Sequence, residues 1–175
     1  LNEGKIKSID QSICDFLPEY CGKKESQITI KHLLTMSSGL DWTENYYNPL
    51  GQVSEAYYGD DLRGLITSLK SIEVPGKVFK YHSSCTQLLS FILEKATGQT
   101  ISEYLSEKLW DPIGCKHPAL WNTDTKGGDE RAFCCINSNA RDFARIGKLY
   151  MRYGNWNGEQ ILDSNYVKDA ISVAD

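Results

Sequence analysis

Ile28-Thr29-Ile30-Lys31-His32-Leu33-Leu34-Thr35-Met36-Ser37-Ser38-Gly39-Leu40 is the stretch on which the fold turns. Thr29 has the side chain of a helix N-cap, a short oxygen that accepts from an amide a turn further on. Ile30, Leu33 and Leu34, with Met36 close behind, recur at the spacing of one helix face. Gly39 is suited to leave a helix in the left-handed conformation. The segment therefore reads as one short helix, opened by Thr29 and stopped at Gly39.

Working outward, the neighbouring segments are helical too. A second helix is expected from about Asp60 to Lys70, with Leu62, Leu65, Ile66 and Leu69 on one face. Pro75-Gly76 turns the chain into a brief extended piece, Lys77 to Tyr81. An apolar run from Leu88 to Ala96 stops before Gly98, and its apolar residues cover most of the circumference, as in a buried central helix. Thr100 or Ser102 can cap the next helix, on which Ile101, Tyr104, Leu105 and Leu109 align before Pro112 ends it. The segment from Asn122 to Arg131 lacks periodicity and reads as an exposed loop, a candidate mobile rim. A further helix is predicted from near Ser138 to Gly154, burying Phe143, Ile146, Gly147 and Tyr150. Asn157-Gly158 favours a tight hairpin into Gln160-Ile161-Leu162. Alternating apolar and polar runs of useful length are missing, so the fold is expected to be mainly α with few short strands.

Composition narrows the function. With 19 Lys and Arg against 23 Asp and Glu, the net charge is −4 and the cations are scattered, which argues against a phosphate-binding surface and so against nucleic acid. The apolar stretches fall far short of a membrane span. No leader peptide is visible, and the chain starts at Leu1 without a methionine, so the compartment stays open. The six cysteines form no C-x-x-C pair and match no zinc spacing with His32, His82 or His117, so no metal site is expected. Most of them read as small buried apolar residues, with a Cys14–Cys21 bridge left open.

No catalytic signature is complete. Ser-x-x-Lys, Lys-Thr-Gly, His-x-Gly, G-x-S-x-G, H-E-x-x-H and a phosphate-binding glycine loop do not occur. Three ordered segments nevertheless resemble the serine β-lactamase and penicillin-binding-protein superfamily, in its class C, esterase and D-aminopeptidase-like branch. Ile28 to Leu40 is similar to that family's "ITIRHLLTHTSGL". Pro75-Gly76-Lys77-Val78-Phe79-Lys80-Tyr81-His82-Ser83-Ser84 resembles "PG..F.YSN", followed here by Glu94-Lys95-Ala96-Thr97-Gly98, similar to "EKVTG". Asn139-Ala140-Arg141-Asp142-Phe143-Ala144-Arg145-Ile146-Gly147 resembles "TARDLARFG", with Trp156-Asn157-Gly158-Glu159-Gln160-Ile161-Leu162 after it.

The resemblance implies that residues 1–175 form a single unit, mostly the helical lobe of a β-lactamase/transpeptidase-like α+β fold. Residues 1–18 resemble "GKLSLDDPVSKYLP"; the family's Ser-x-x-Lys is then expected upstream of them, and its Lys-Thr-Gly or His-x-Gly strand beyond Asp175. The implied function is part of a serine acyl hydrolase acting on an ester, amide or D-amino-acid peptide through an acyl-enzyme, the fragment alone being inactive. The alternative is a penicillin-binding-protein-like binder that keeps the fold without turnover. A small-molecule or peptide acyl substrate is the implied partner; no cofactor is implied, and an exported or periplasmic location follows from the resemblance alone.

In that reading Tyr81 is catalytic. A serine hydroxyl must lose its proton as it attacks an acyl carbon, and a Lys-Tyr pair can accept it. The alternative is that Tyr81 anchors the turn before the helix. Ser83, where the family carries Asn, is the substrate-binding candidate, and a hydroxyl cannot bridge two partners as a carboxamide does. The change puts β-lactam turnover in doubt more than ester or amide hydrolysis. His82 reads as a packing or surface residue, His32 as an ordinary helix residue. Trp42, Tyr46 and Tyr47 are candidates either for an acyl pocket or for a satellite apolar cluster.

Overall fold

Thr29 caps the first helix as its chemistry predicts. Its Oγ1 accepts from the His32 amide at 3.3 Å, and His32 Nδ1 accepts from the Thr29 amide at 3.1 Å, a capping box with histidine in the returning role. His32 is thus more than an ordinary helix residue. The structure, a computed structural model, describes residues 1–173. These are mainly helical, with two two-stranded antiparallel sheets, the architecture of a helical lobe of the β-lactamase-like fold. They divide into two compact units, the first holding chiefly Glu3–Ile101 and Asn122–Cys135, the second Ser102–Trp121 and Ile136 onward.

In the first unit, α1 (Ile30–Leu34) ends before Gly39. Thr35 Oγ1 turns back to donate to Lys31 O at 2.9 Å, and Met36 takes φ +51, so the chain leaves the helix there. Gly39 serves a different purpose. Its φ is +71, and a Cβ built on it would stand 2.6 Å from the Glu73 carbonyl oxygen, so only glycine allows the two backbones this close beside the Leu40–Ser71 bridge.

Helix α2 (Gln52–Tyr58) has no counterpart in the sequence reading, because only Val53 and Ala56 mark its buried face. Helix α3 (Leu62–Thr67) is shorter than expected. Asp61 caps it by accepting from Gly64 N at 2.9 Å, and Leu62 and Ile66 are buried. Central helix α4 (Ser83–Thr97) ends on Gly98 at φ +75. It begins five residues before Leu88, because its first buried positions are Ser83, Ser84 and Cys85, which an apolar pattern does not register.

Leu88, Phe91 and Ile92 of α4 pack with Leu33, Ile66 and Tyr20 in the main core. Each such aliphatic or aromatic side chain contributes about 1.5–3 kcal/mol of transfer free energy. The Tyr20 phenol is buried but satisfied, donating to Ile66 O at 2.9 Å. Burial first, then nearby carboxylates, pushes its pKa up.

The segment 122–131 is not the uniformly exposed loop expected. Residues 125–128 are exposed, but Glu130 and Arg131 are buried. Asp124 accepts from Leu62 N at 3.0 Å and Asp129 N at 2.9 Å, and Arg131 Nε donates to Ala56 O at 2.9 Å. The cysteine reading is corrected as well. Cys14–Cys21 and Cys134–Cys135 are disulfides, and of the two free thiols only Cys85 is buried.

In the second unit, α5 (Ile101–Leu105) runs into one π-helical turn, Ser106–Trp110. Strands β1 (Leu120–Trp121) and β2 (Ile136–Asn137) pair antiparallel. Helix α6 (Ala140–Met151) starts on the predicted side of Ser138, with Asn139 Oδ1 accepting from the Arg141 and Asp142 amides at 3.0 and 3.1 Å. Its fully buried residues are Asp142 and Leu149, whereas Phe143 and Gly147 face outward. Asp142 turns inward because it accepts from Lys116 N and His117 N at 3.0 Å each and from Asn139 Nδ2 at 2.7 Å. Burial opposes ionisation there, but these donors outweigh it and hold the carboxyl well below the usual range. Leu149 packs with Ile113 and Trp156. Strands β3 (Asn155–Trp156) and β4 (Glu159–Gln160) form the expected hairpin, with Asn157 at φ +52 and Gly158 at φ +99. Helix α7 (Ser164–Ala170), capped by Asp163, follows.

Candidate active site

Tyr81 and Ser83 flank the start of α4 in the first unit, and the two residues differ sharply in environment. Tyr81 lies in the irregular segment before the helix and is 56% exposed, whereas Ser83, the first helical residue, is 3% exposed. The approach to the helix is fixed by Lys80 N donating to Met36 O at 2.9 Å and by Gly76 N donating to Ser37 O at 2.8 Å. These bonds tie the Tyr81 segment to the end of α1, so two of the three quoted sequence segments are joined through the backbone.

Between Tyr81 and Ser83, His82 is buried. Desolvation first, and the Lys80 charge with it, lower its pKa, while Glu44 and Glu73 act the other way. A buried neutral imidazole packs, in keeping with its sequence reading.

The centre of the arrangement is a residue that the sequence did not single out. Glu44 accepts four hydrogen bonds: from Ser83 N at 2.8 Å, Ser83 Oγ at 2.6 Å, Trp42 Nε1 at 2.6 Å and Tyr46 OH at 2.6 Å. Burial alone would raise its pKa. The donors of Ser83, Tyr46 and Trp42 outweigh burial and lower it, so the group is a carboxylate. Its charge has a reciprocal effect on Tyr46, whose pKa is pushed up to about 12, first by the bond to Glu44 and then by burial. The only trace of Glu44 in the sequence was its position between Trp42 and Tyr46, and spacing of two residues carries no helical or metal-ligand signal.

Of the three aromatic candidates after α1, Trp42 is part of the main core and also donates to Glu44, Tyr46 is half-exposed and bonded to the same carboxylate, and Tyr47 is almost fully exposed. Tyr57 of α2 stands nearby, its ring edge-on to Phe133 at 5.3 Å. Burial, then Glu44 and Tyr81, raise its pKa. Tyr81 and Glu44 therefore act on one common neighbour.

Among the described residues no group of three or more His, Cys, Asp and Glu side chains is placed to hold a metal ion, and no helix is long and apolar enough to cross a membrane. A separate concavity of about 370 Å³ within the second unit, bordered by Trp110, Cys115, Lys116 and His117, contains none of these candidates.

The mainly helical lobe is that of the serine β-lactamase and penicillin-binding-protein superfamily, whose members it matches in sequence and in structure. The particular family is then plain: the chain belongs to the Beta-lactamase family, whose model matches residues 1–166. It is similar to the 6-aminohexanoate-dimer hydrolase of Paenarthrobacter ureafaciens, 26% identical over 183 residues, covering 98% of this chain and 46% of the relative. A provisionally named 6-aminohexanoate-dimer hydrolase from Bacillus anthracis has a similar structure, with TM-score 0.84 and 26% identity over 96% of this chain and 47% of that one. The octameric penicillin-binding protein homologue of Pyrococcus abyssi shares the fold, with TM-score 0.65 and 21% identity over 95% and 43%. The chain spans less than half the length of each of these proteins.

Proposed function

We propose that this chain is the helical lobe of a serine acyl hydrolase that cleaves an ester, an amide or a D-amino-acid peptide through an acyl-enzyme, with Tyr81 as one half of the general base. The observation that carries the reading is the exposed Tyr81 phenol two residues ahead of a buried Ser83 that is hydrogen-bonded to Glu44, within a family whose named relatives include a 6-aminohexanoate-dimer hydrolase. An exposed phenol can reach a substrate or a lysine, whereas a buried, satisfied serine cannot lead the attack.

The nucleophile and the lysine that pairs with Tyr81 are not among residues 1–175, which contain no Ser-x-x-Lys. The isolated chain is therefore expected to be inactive. In the full protein, Tyr81→Phe should slow acylation by an activated ester or a fluorescent phosphonate by about 10²-fold or more, the usual scale for a lost base. Unchanged acylation would remove Tyr81 from the chemistry. A binder without turnover is the second reading, favoured by the commitment of the Ser83 hydroxyl to Glu44, and it predicts only reversible, non-covalent retention of the same probes.

A further inference from the structure

We propose that the Cys134–Cys135 bridge is a redox-modification site, which a dithiol reductant opens and whose opening loosens the packing of Phe133 on Tyr57 beside the candidate active site. The effect on acylation rests on the serine-hydrolase reading; the redox chemistry does not. Cys134 and Cys135 are joined through sulfur although they are neighbours in sequence, and both are only partly buried, so a small thiolate can reach them. A bridge between consecutive residues closes a small ring around their own peptide unit. It therefore restrains the local backbone instead of joining distant parts of the chain, as a long-range disulfide does. Cys135 has φ +70, in the left-handed region that a residue with a Cβ rarely adopts unless its surroundings hold it there. The ring supplies that hold.

The restrained turn is tied to the first unit on both sides. Cys134 N donates to Arg131 O at 3.0 Å, and Asn122 N donates to Cys135 O at 3.3 Å. Buried Arg131 donates from Nε to Ala56 O at 2.9 Å and from Nη2 to Gly59 O at 3.1 Å, which fixes the turn to the end of α2. Phe133, inside the turn, stands edge-on to Tyr57 of the same helix at 5.3 Å between ring centroids. Glu44 and Tyr81 both act on Tyr57. The sulfurs are thus one residue from a ring that backs the aromatic neighbour of the candidate base. Opening the bridge is an ordinary exchange. One thiolate of the reductant attacks one cysteine sulfur and displaces the other as a thiolate. The second thiolate of the reductant then displaces the first cysteine from the mixed disulfide. The reductant leaves as its own disulfide, and its two electrons and two protons remain as the thiols of Cys134 and Cys135. Glutathione disulfide, as oxidant, reverses the change and leaves as two molecules of glutathione. Once the ring is open, Cys135 can return to negative φ, and Phe133 shifts with the turn they share.

The test uses the full-length protein in two redox states. Iodoacetamide labelling in denaturant, read by mass on the tryptic peptide 132–141, should add no group after glutathione disulfide and two after dithiothreitol. In the reduced form, amide exchange over residues 131–135 and at Tyr57 should be faster. Acylation by an activated ester should be slower by roughly 3- to 10-fold, the scale of a small misplacement near the chemistry. Both effects should reverse on re-oxidation. Cys134→Ala combined with Cys135→Gly removes the sulfurs yet lets position 135 keep its positive φ. That variant should be acylated at nearly the rate of the oxidised protein and should ignore dithiothreitol, which separates the effect from reduction of Cys14–Cys21. Cys134→Ser combined with Cys135→Ser should match the reduced protein whatever the redox state. A peptide still labelled twice after glutathione disulfide would overturn the proposal. So would complete reduction that leaves exchange and acylation unchanged, or a response to dithiothreitol that persists when both cysteines are replaced. If the ester acylates neither redox form, the hydrolase reading alone falls, and exchange decides this inference: faster exchange on reduction supports it, and equal exchange overturns it.

Discussion

Two glycines with nearly the same backbone angle have different reasons to be glycine, and a substitution separates them. Gly98 ends α4 at φ +75 with nothing within 4 Å of a built Cβ, while Gly39 has φ +71 and would press its Cβ to 2.6 Å from Glu73 O. Alanine at either position carries the left-handed cost of about 1–2 kcal/mol. At Gly39 the clash with backbone adds to it, because a carbonyl held beside the Leu40–Ser71 bridge cannot yield as a flexible side chain would. Gly39→Ala should therefore lower the unfolding free energy measured in urea clearly more than Gly98→Ala does, by at least about 1 kcal/mol. Equal effects would mean that the segment carrying Glu73 moves freely. Both residues were visible in the sequence as helix stops, and only Gly98 is one. The spacing of Gly39 from Leu34 could not tell a helix end from a close backbone approach, since either needs positive φ.

The elements show the same division between what apolar periodicity records and what polar contacts decide. Leu88, Phe91 and Ile92 made α4 legible as a buried helix, and Thr29 and Asn139 announced α1 and α6 by their capping chemistry. The first turn of α4 escaped notice because serines fill it, and Glu44, which completes that turn and with it the candidate site, comes from a segment 39 residues earlier. Tyr81 and Ser83 were found through a resemblance of motif, a local signal; their partner was out of reach because a tertiary hydrogen bond leaves no mark on spacing. Gln87 works in a similar way. Fully buried on α4, it donates Nε2 to Glu130 O at 2.9 Å and accepts from Ala132 N at 2.8 Å, which holds the end of the 122–131 segment against the helix. Gln87→Leu keeps most of the volume and leaves both backbone groups without this partner. A cost of about 2–5 kcal/mol is expected, with faster amide exchange at residues 130–132 than elsewhere in the first unit. Uniform exchange across that unit would show that the segment is held by other bonds.

At the scale of the molecule, carboxylates held by hydrogen-bond donors give the fold a common response to acid. Glu25, Glu44 and Asp124 all have lowered pKa values: burial acts to raise each, and hydrogen-bond donors prevail, namely Ser71 N for Glu25, Ser83 for Glu44 and Leu62 N for Asp124. Asp142 follows the same rule in the second unit. A carboxyl with a depressed folded pKa contributes stability above its unfolded value, 4.5 for Glu and 3.8 for Asp, and loses it as pH falls through the folded value. His32 and His82 add to this from a higher pH. Burial lowers both, so the unfolded chain takes up protons first as pH drops below 6.5, again favouring unfolding. Glu94 opposes the trend, because burial outweighs Arg63 and raises its pKa, but it stands alone against six groups named here. Stability should therefore be flat only from about pH 7 to about pH 8, decline gently below that as the histidines enter their range and fall steeply below about pH 4.5, and it should decline again on the alkaline side, where burial raises the Tyr20 phenol and the Cys85 thiol above their unfolded values. Urea midpoints measured across that range give the check. The Glu44→Gln variant should lose part of the steep limb while keeping the gentle one, since its own proton no longer takes part. Midpoints that rise on acidification would mean that Glu94, rather than the hydrogen-bonded carboxylates, governs the linkage.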